Sequence, residues 1–298
     1  MTGIDVTGTG VPEVPPRVSE WRRFRRVFFQ RKLVLFGLII LTILVLTAIF
    51  APVLTPYSPI RGDLAESLQQ PSWKHLLGTD LQGRDTLTRL IYGSRTALAV
   101  GFGSVLLAGV IGVTLGLMAG YFGGVTNMVI MRIMDALMGF PMILLALVIS
   151  AVLGSGLLNV IIALSVATLP GYARVIHGIT LSLRENDYIL AERAMGASNA
   201  RAMFRHILPN ALPPMIVLIT LQLGALILAE AALSYLGVGI RPPDAAWGAM
   251  VSDGRRWLIS YPWLSLSPGV AIMLVVFAFN LVGDGLRDAL DPRLRGLI

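Results

Sequence analysis

Few residues in this chain of 298 could do chemistry, and their spacing excludes the common kinds. The three histidines, His75, His177 and His206, lie far apart and lack metal-ligand spacing. Without cysteine there is no disulfide and no thiolate nucleophile. Only Lys32 and Lys74 are lysines, and neither follows a glycine-rich loop or precedes Ser or Thr, so the common phosphate-binding loop is absent. Any nucleotide energy must therefore enter through another chain. The run His75–Asp85 holds His75, Asp80 and Asp85, donors that could suit a hard cation. Turn chemistry accounts for Gly78-Thr79-Asp80 and Gly83-Arg84-Asp85 as hydrogen-bonded corners, and that reading is preferred. The expectation is a chain with no catalytic, cofactor-binding or metal-ligating residue of its own.

One stretch stands out for contact rather than chemistry. Asn186-Asp187-Tyr188-Ile189-Leu190-Ala191-Glu192-Arg193-Ala194-Met195-Gly196-Ala197-Ser198-Asn199-Ala200-Arg201 runs on to His206-Ile207-Leu208-Pro209-Asn210. It predicts two short helices joined at Gly196. Asn186 or Asp187 can cap the first, and Ser198 or Asn199 the second. Gly196 lets the chain turn, or lets another backbone come close. Ala191, Ala194 and Ala197 keep the surface low. Pro209, Pro213 and Pro214 are expected to end the second helix and begin the next apolar run. Such a loop suits a grip from outside the chain, although an interfacial amphipathic loop would share its composition.

The elements that must hold this loop are apolar. Hydrophobic residues make up 55% of the chain and charged residues 14%, with mean hydropathy +0.75. A soluble domain carries about 25% charge. Runs of ~20 apolar residues predict six membrane-spanning helices near 33–54, 97–119, 134–153, 157–178, 212–236 and 266–284. The first lacks a cleavage site and is read as retained. With the N-terminus inside, two-thirds of the 24 lysines and arginines fall on the cytoplasmic side, so both termini are expected there. Arg84, Arg89 and Arg95 run against that count, and their segment is expected to lie along the outer surface. The net charge of +7 reads as this topological bias rather than as nucleic-acid binding.

The chain divides into a basic tail 1–32, a first span with its outer loop 33–96, a membrane core 97–285 containing the loop 182–210, and a tail 286–298. Trp21, Phe24 and Phe28 share one helical face among arginines, as in a helix on the inner leaflet near anionic headgroups. A plain positive flank explains the arginines equally well. Asp284 is expected to cap a short helix ending before Pro292.

Within the core, Ser104, Ala108, Gly112, Gly116 and Gly120 form a stripe of small residues that favours close helix packing. Pro141 and Pro170-Gly171 predict kinks whose freed carbonyls need protein or water beside them. These kinks either shape the bundle or take part in gating. Glu230 lies inside the fifth span, where an ionised carboxylate costs roughly 2.5–3.5 kcal/mol. It either lines a pathway or holds a neighbouring helix.

The 186–210 stretch resembles the cytoplasmic motif of binding-protein-dependent ABC importer permeases. That motif has Glu-Ala-Ala, three residues, Gly, then about nine residues before Ile-x-Leu-Pro. Gly196 matches the glycine, and His206-Ile207-Leu208-Pro209 the terminal element. Leu190-Ala191-Glu192 departs from the triplet, with Leu190 in place of the acid and Glu192 in place of an alanine. The first span with its basic flank resembles the N-terminal region of the C-type permease subunit of dipeptide and oligopeptide (peptide/nickel) importers, and four other segments resemble that subunit too: His75–Asp85 with Arg89–Gly93, Pro170–Arg174, Ala229–Gly237 and Gly283–Arg293.

The resemblance implies an all-α, polytopic membrane protein of the type I ABC importer permease fold. It implies a homologous second permease subunit, two ABC ATPase subunits or domains that bind the ATP and magnesium, and an extracytoplasmic substrate-binding protein. The cargo would be a peptide; nickel or another small solute is the alternative within the class, and an ion-coupled secondary carrier the alternative outside it. The ATPase-coupling loop would use Tyr188, Ala191, Glu192, Ala194, Gly196, Ala197, Ser198, Arg201, His206, Leu208 and Pro209. Glu230, Pro170, Gly171, Gly112 and Gly116 would serve the pathway or helix packing.

Overall fold

A computed structural model describes residues 20–290. Eleven α-helices run through them, with no strand among the described residues. The Trp21 side chain, the tail 1–19 and residues 291–298 with Pro292, Arg293 and Arg295 lie outside the described residues.

Helix α1 (Glu20–Gln30) is amphipathic, and its Phe28 packs with Val34 and Val282. Helix α2 (Lys32–Leu54) is apolar on every side and mostly unburied, as expected of a helix that meets lipid around much of its girth. Gly37 lets it approach α11 (Trp263–Leu290): a Cβ there would fall 3.0 Å from the Ala278 carbonyl.

Helix α3 (Thr86–Phe122) is 37 residues long, or about 55 Å, well beyond the ~30 Å of a bilayer's hydrocarbon. It starts eleven residues before the expected span because Asp85 caps it, its Oδ1 accepting from the Thr88 N–H at 2.6 Å. The segment expected to lie along the surface is therefore the first three turns of a continuous helix. Its stripe of small residues packs on α6 (Leu157–Arg184). A Cβ on Gly112 would meet Tyr172 Cβ at 2.8 Å, and one on Gly116 the Ala173 carbonyl at 2.2 Å.

The third expected span, 134–153, is not one helix. Helices α4 (Gly124–Met138) and α5 (Met142–Leu153) meet at 90°. The break falls at Gly139-Phe140-Pro141, where Pro141 takes the N-cap position of α5. Alone, α5 is 12 residues or about 18 Å, too short to cross a bilayer. Five continuous helices are long and apolar enough to span, and the bent pair makes a sixth, broken one.

The prolines after the loop do not end a helix either. Helices α8 (Asn199–Arg201) and α9 (Leu208–Tyr235) are joined by a π-helical stretch, Ala202–Ile207, so the helix is unbroken from Asn199 to Tyr235. The Leu208 N–H donates to Met203, five residues back, and the wider turn delivers Pro209 to the second position of α9. Pro209 lacks the N–H that would continue this ladder, and the π-helical turn just before it is where the continuous helix takes up the irregularity. Asp284 also differs from expectation. It lies inside α11, which continues to Leu290, and caps nothing.

At one end of the bundle residues 55–85 and 236–262, including α10 (Trp247–Gly254), form a cap. The loop containing α7 (Asp187–Ala194) lies at the other end.

Candidate functional site

Helix α6 stops at Arg184, whose guanidinium donates to the Gly120 carbonyl at 2.9 Å and ties the ends of α6 and α3 together. Three residues later α7 begins, with the N–H groups of Ile189 and Leu190 donating to the Asn186 carbonyl. Met195 N–H donates to Ala191 and Ala197 N–H to Glu192, and between them Gly196 takes φ +86°. This is the left-handed stop of a helix C-terminus, which glycine adopts without a Cβ penalty. A Cβ on Gly196 would meet nothing within 4 Å, so the glycine serves the turn rather than a close approach within this chain. Ser198 then caps α8, its Oγ accepting from the Arg201 N–H at 3.3 Å.

The hairpin has an inner and an outer face. Ile189, Ala202 and Ile207 are fully buried and join Met203, Tyr172, Ala173 and Ile176 in one apolar cluster. Tyr121 at the end of α3 donates its hydroxyl to Asn199 Oδ1 at 3.0 Å. Glu192 Oε1 lies 2.8 Å from His206 Nε2, across the turn. Outward point Tyr188, Leu190, Ala191, Ala194 and Met195, the last 80% exposed, with Phe204 and Arg201 beside them. Ala197 and Leu208 are half-buried, and Pro209 is exposed.

The expected loop residues include Tyr188, Leu208 and the alanines but not three larger apolar groups. Met195, Leu190 and Phe204 dominate the outer face, and Ile189 anchors the inner one. The helical spacing of Tyr188, Ala191 and Met195 was the available signal, since positions i, i+3 and i+7 share a face.

The remaining candidates lie away from the loop. Glu230 is 2% exposed and accepts a hydrogen bond from Ser234 Oγ at 2.6 Å; Ser234 Oγ in turn accepts from the Ile240 N–H at 3.0 Å. The carboxylate thus fastens the end of α9 to the strand of chain entering the cap. Pro170 is buried, and Gly171 is half-buried with open space at its Cβ position. Near the loop a cavity of about 770 Å³ lies between α6, α9 and α11, lined by Val175, Asn210, Pro213, Pro214, Leu221 and Arg287 among others. Pro213 and Pro214 leave the carbonyls of Pro209 and Asn210 without helical donors, and this opening is where water can reach them.

The cap is held by ionic corners. Asp80 Oδ1 accepts from the N–H groups of Gln82 and Arg84, and its Oδ2 meets the Arg84 guanidinium at 2.7 Å. His75 bridges Asp85 at 2.9 Å and Glu66 at 3.2 Å. His75 and Asp85 therefore join one corner and Asp80 another, and no cluster of metal-ligand type occurs among the described residues. The ammonium of Lys74, hydrogen-bonded to Glu66, holds that carboxyl below its ordinary value. Burial pushes Asp253 the other way, against the pull of Arg84 and Arg89.

Residues 112–296 match the model of the binding-protein-dependent transport system inner membrane component family, and residues 19–71 that of the N-terminal TM domain of oligopeptide transport permease C. The chain belongs to the first of these families. This permease is 47% identical over 293 residues to a dipeptide transport system permease protein of Alkalihalophilus pseudofirmus, covering 96% of each chain. It is 42% identical to a glutathione transport system permease protein of Pectobacterium atrosepticum, over 93% of this chain and 92% of that one. An oligopeptide transport system permease protein of Bacillus subtilis is 40% identical, with 93% and 91% covered. In fold it resembles a chain of the inward-facing MetNI methionine ABC transporter, with TM-score 0.55 and 23% identity over 69% of this chain and 97% of that one. The permease is thus an all-α, multi-pass inner-membrane protein.

Proposed function

We propose that this permease forms half of the translocation pathway of an ATP-driven importer of di- or oligopeptides. The other half would be a homologous permease, and two ATPase subunits or domains would dock on the paired loops. A substrate-binding protein would deliver the peptide at the cap, where Trp73 and Ile259 are almost fully exposed. In this arrangement both termini and the 186–210 loop face the cytoplasm.

The observation that carries the reading is the two-sided hairpin. Its inner face is locked by Ile189, Ile207, the Tyr121–Asn199 bond and the Glu192–His206 pair. Its outer face leaves Tyr188 and Leu190 nearly half exposed and Met195 80% exposed. A rigid back and an exposed apolar front suit a part that is pushed by another protein. The relatives named for dipeptide, oligopeptide and glutathione transport support a peptide cargo.

Purification of the complex in mild detergent tests the assembly: a second permease and an ATPase are expected to copurify, and their consistent absence would count against it. Gly196→Trp places a bulky group on the outer face at a left-handed position. It is expected to leave insertion intact and to uncouple ATP hydrolysis from uptake, and unchanged transport would remove the docking role.

A further inference from the structure

The acid of the coupling segment stands at Glu192, with Leu190 two residues earlier. On a helix a two-residue displacement turns a side chain by roughly 200°. Leu190 is accordingly exposed on the outer face, while Glu192 is about three-quarters buried on the inner one. There Oε1 lies 2.8 Å from Nε2 of His206, itself about three-quarters buried, on the π-helical stretch. The contact lies off the hydrogen-bond axis, so what it offers is the attraction of the carboxylate for the ring, which is full only when the imidazole carries a second proton.

We infer that Glu192 and His206 are positioning residues, an internal clasp that makes α7 and the α8–α9 helix move as one piece when the ATPases push. The clasp closes over Gly196, whose φ of +86° is the natural hinge of the hairpin. Without it the two arms are joined by the turn and by the apolar contacts beneath, and a push on α7 bends the hairpin before it moves α9. The π-helical turn adds to the need. It lies between the loop and the span, and His206 ties that turn to α7 while Asn210 Nδ2 donates to the His206 carbonyl at 2.7 Å from the α9 side. The clasp rests on the coupling reading above, and its test separates the two.

The test uses the whole complex, with partner permease, ATPases and binding protein, in proteoliposomes. The readouts are uptake of labelled trialanine and phosphate release, taken as uptake per ATP. Glu192→Ala and His206→Gln are expected to lower this ratio about two- to fivefold, the range open to a partly exposed ion pair, with ATP hydrolysis maintained. His206→Lys places a fixed cation opposite Glu192 and should retain most of the ratio. The exchange Glu192→His with His206→Glu should restore it. A wild-type ratio in Glu192→Ala overturns the clasp, as does a loss that the exchange does not repair. If Glu192→Ala does not assemble, the contrast between His206→Gln and His206→Lys decides: equal ratios overturn the clasp. Gly196→Trp runs alongside. If its ratio collapses while Glu192→Ala is normal, only the clasp fails; if Gly196→Trp is itself normal, the coupling reading fails.

Discussion

Arg95 donates its guanidinium to the carbonyl of Ala48, the carbonyl that Pro52 leaves without a helical donor. A second nitrogen reaches the next carbonyl, Ile49, at 3.2 Å. A helix-breaking residue in α2 and a charged residue in α3 thus satisfy each other. Arg95→Leu is expected to destabilise the protein by about 1–3 kcal/mol, the cost of stranding an acceptor away from water. Pro52→Ala returns the backbone donor and should recover most of that loss. Thermal unfolding of the four members of this double-mutant cycle in detergent measures the coupling. Additive effects would show that the two residues do not compensate each other.

The glycines separate into two classes with opposite sensitivities. At Gly116 a Cβ would fall 2.2 Å from the Ala173 carbonyl, and at Gly248 2.0 Å from the Ala231 carbonyl; both obstacles are backbone. Gly116→Ala must force α3 from α6, and Gly248→Ala must force α10 from α9. Both are expected to lose most folded protein in size-exclusion profiles. Gly196 has empty space around it and needs only its positive φ, so Gly196→Ala should cost about 1 kcal/mol. Similar yields for Gly116→Ala and Gly196→Ala would contradict the tight contact of α3 with α6.

Two carboxylates of the cap give opposite pH dependences. Glu66 titrates below its ordinary value because Lys74 donates to it and His75 adds to the effect. Its contribution to stability is therefore present above pH ~4.5 and is lost as pH falls through the folded value. Asp253 titrates above its ordinary value because burial disfavours the charge. Its neutral form is the better accommodated, so its contribution is lost as pH rises through the raised value. Melting temperatures measured from about pH 2.5 to pH 8 should show this. Lys74→Met should flatten the acid limb, and Asp253→Asn should gain on the wild type as pH rises. An Asp253→Asn difference that is constant with pH would contradict the burial effect.

Much of the architecture was legible because continuous apolar runs leave little choice. The expected limits of the first span, 33–54, agree with α2 within a residue, and the runs of α6 and α11 were found but ended short. Their extensions carry polar residues such as Arg184 and Asp284, which helical hydrogen bonding tolerates but a hydropathy count stops at. At Gly139-Phe140-Pro141 the chain turns through 90°, further than the kink a proline alone gives, because Gly139 adds backbone freedom beside it. Arg84, Arg89 and Arg95 upset the charge count because all three are engaged internally. Arg84 meets Asp80, Arg89 donates to the Pro59 and Pro243 carbonyls, and Arg95 serves α2. Counting charges cannot tell an arginine engaged within the fold from a topological one. In the loop, the turn at Gly196 and the Ser198 cap followed from local chemistry. The clasp did not, because Glu192 and His206 are fourteen positions apart and meet only through the fold.

The outer face of the hairpin yields the sharpest expectation. Tyr188, Leu190 and Met195 are 44%, 45% and 80% exposed, whereas Ile189 between them is fully buried. If the ATPase grips the front, Met195→Asp places a charge in a desolvated contact and should weaken association by a factor of about 30, as at a binding hot spot. Folding should be untouched, since the side chain contributes little to packing in this chain. Ile189→Asp should do the reverse, destroying the hairpin by burying a charge with no partner beside it. Copurified ATPase per permease, with melting temperature measured on the same samples, distinguishes them. Loss of ATPase at unchanged melting temperature is the signature expected of Met195→Asp and of Tyr188→Asp. Full retention in both would mean that the motor meets the permease elsewhere, and the exposed apolar front would need another occupant.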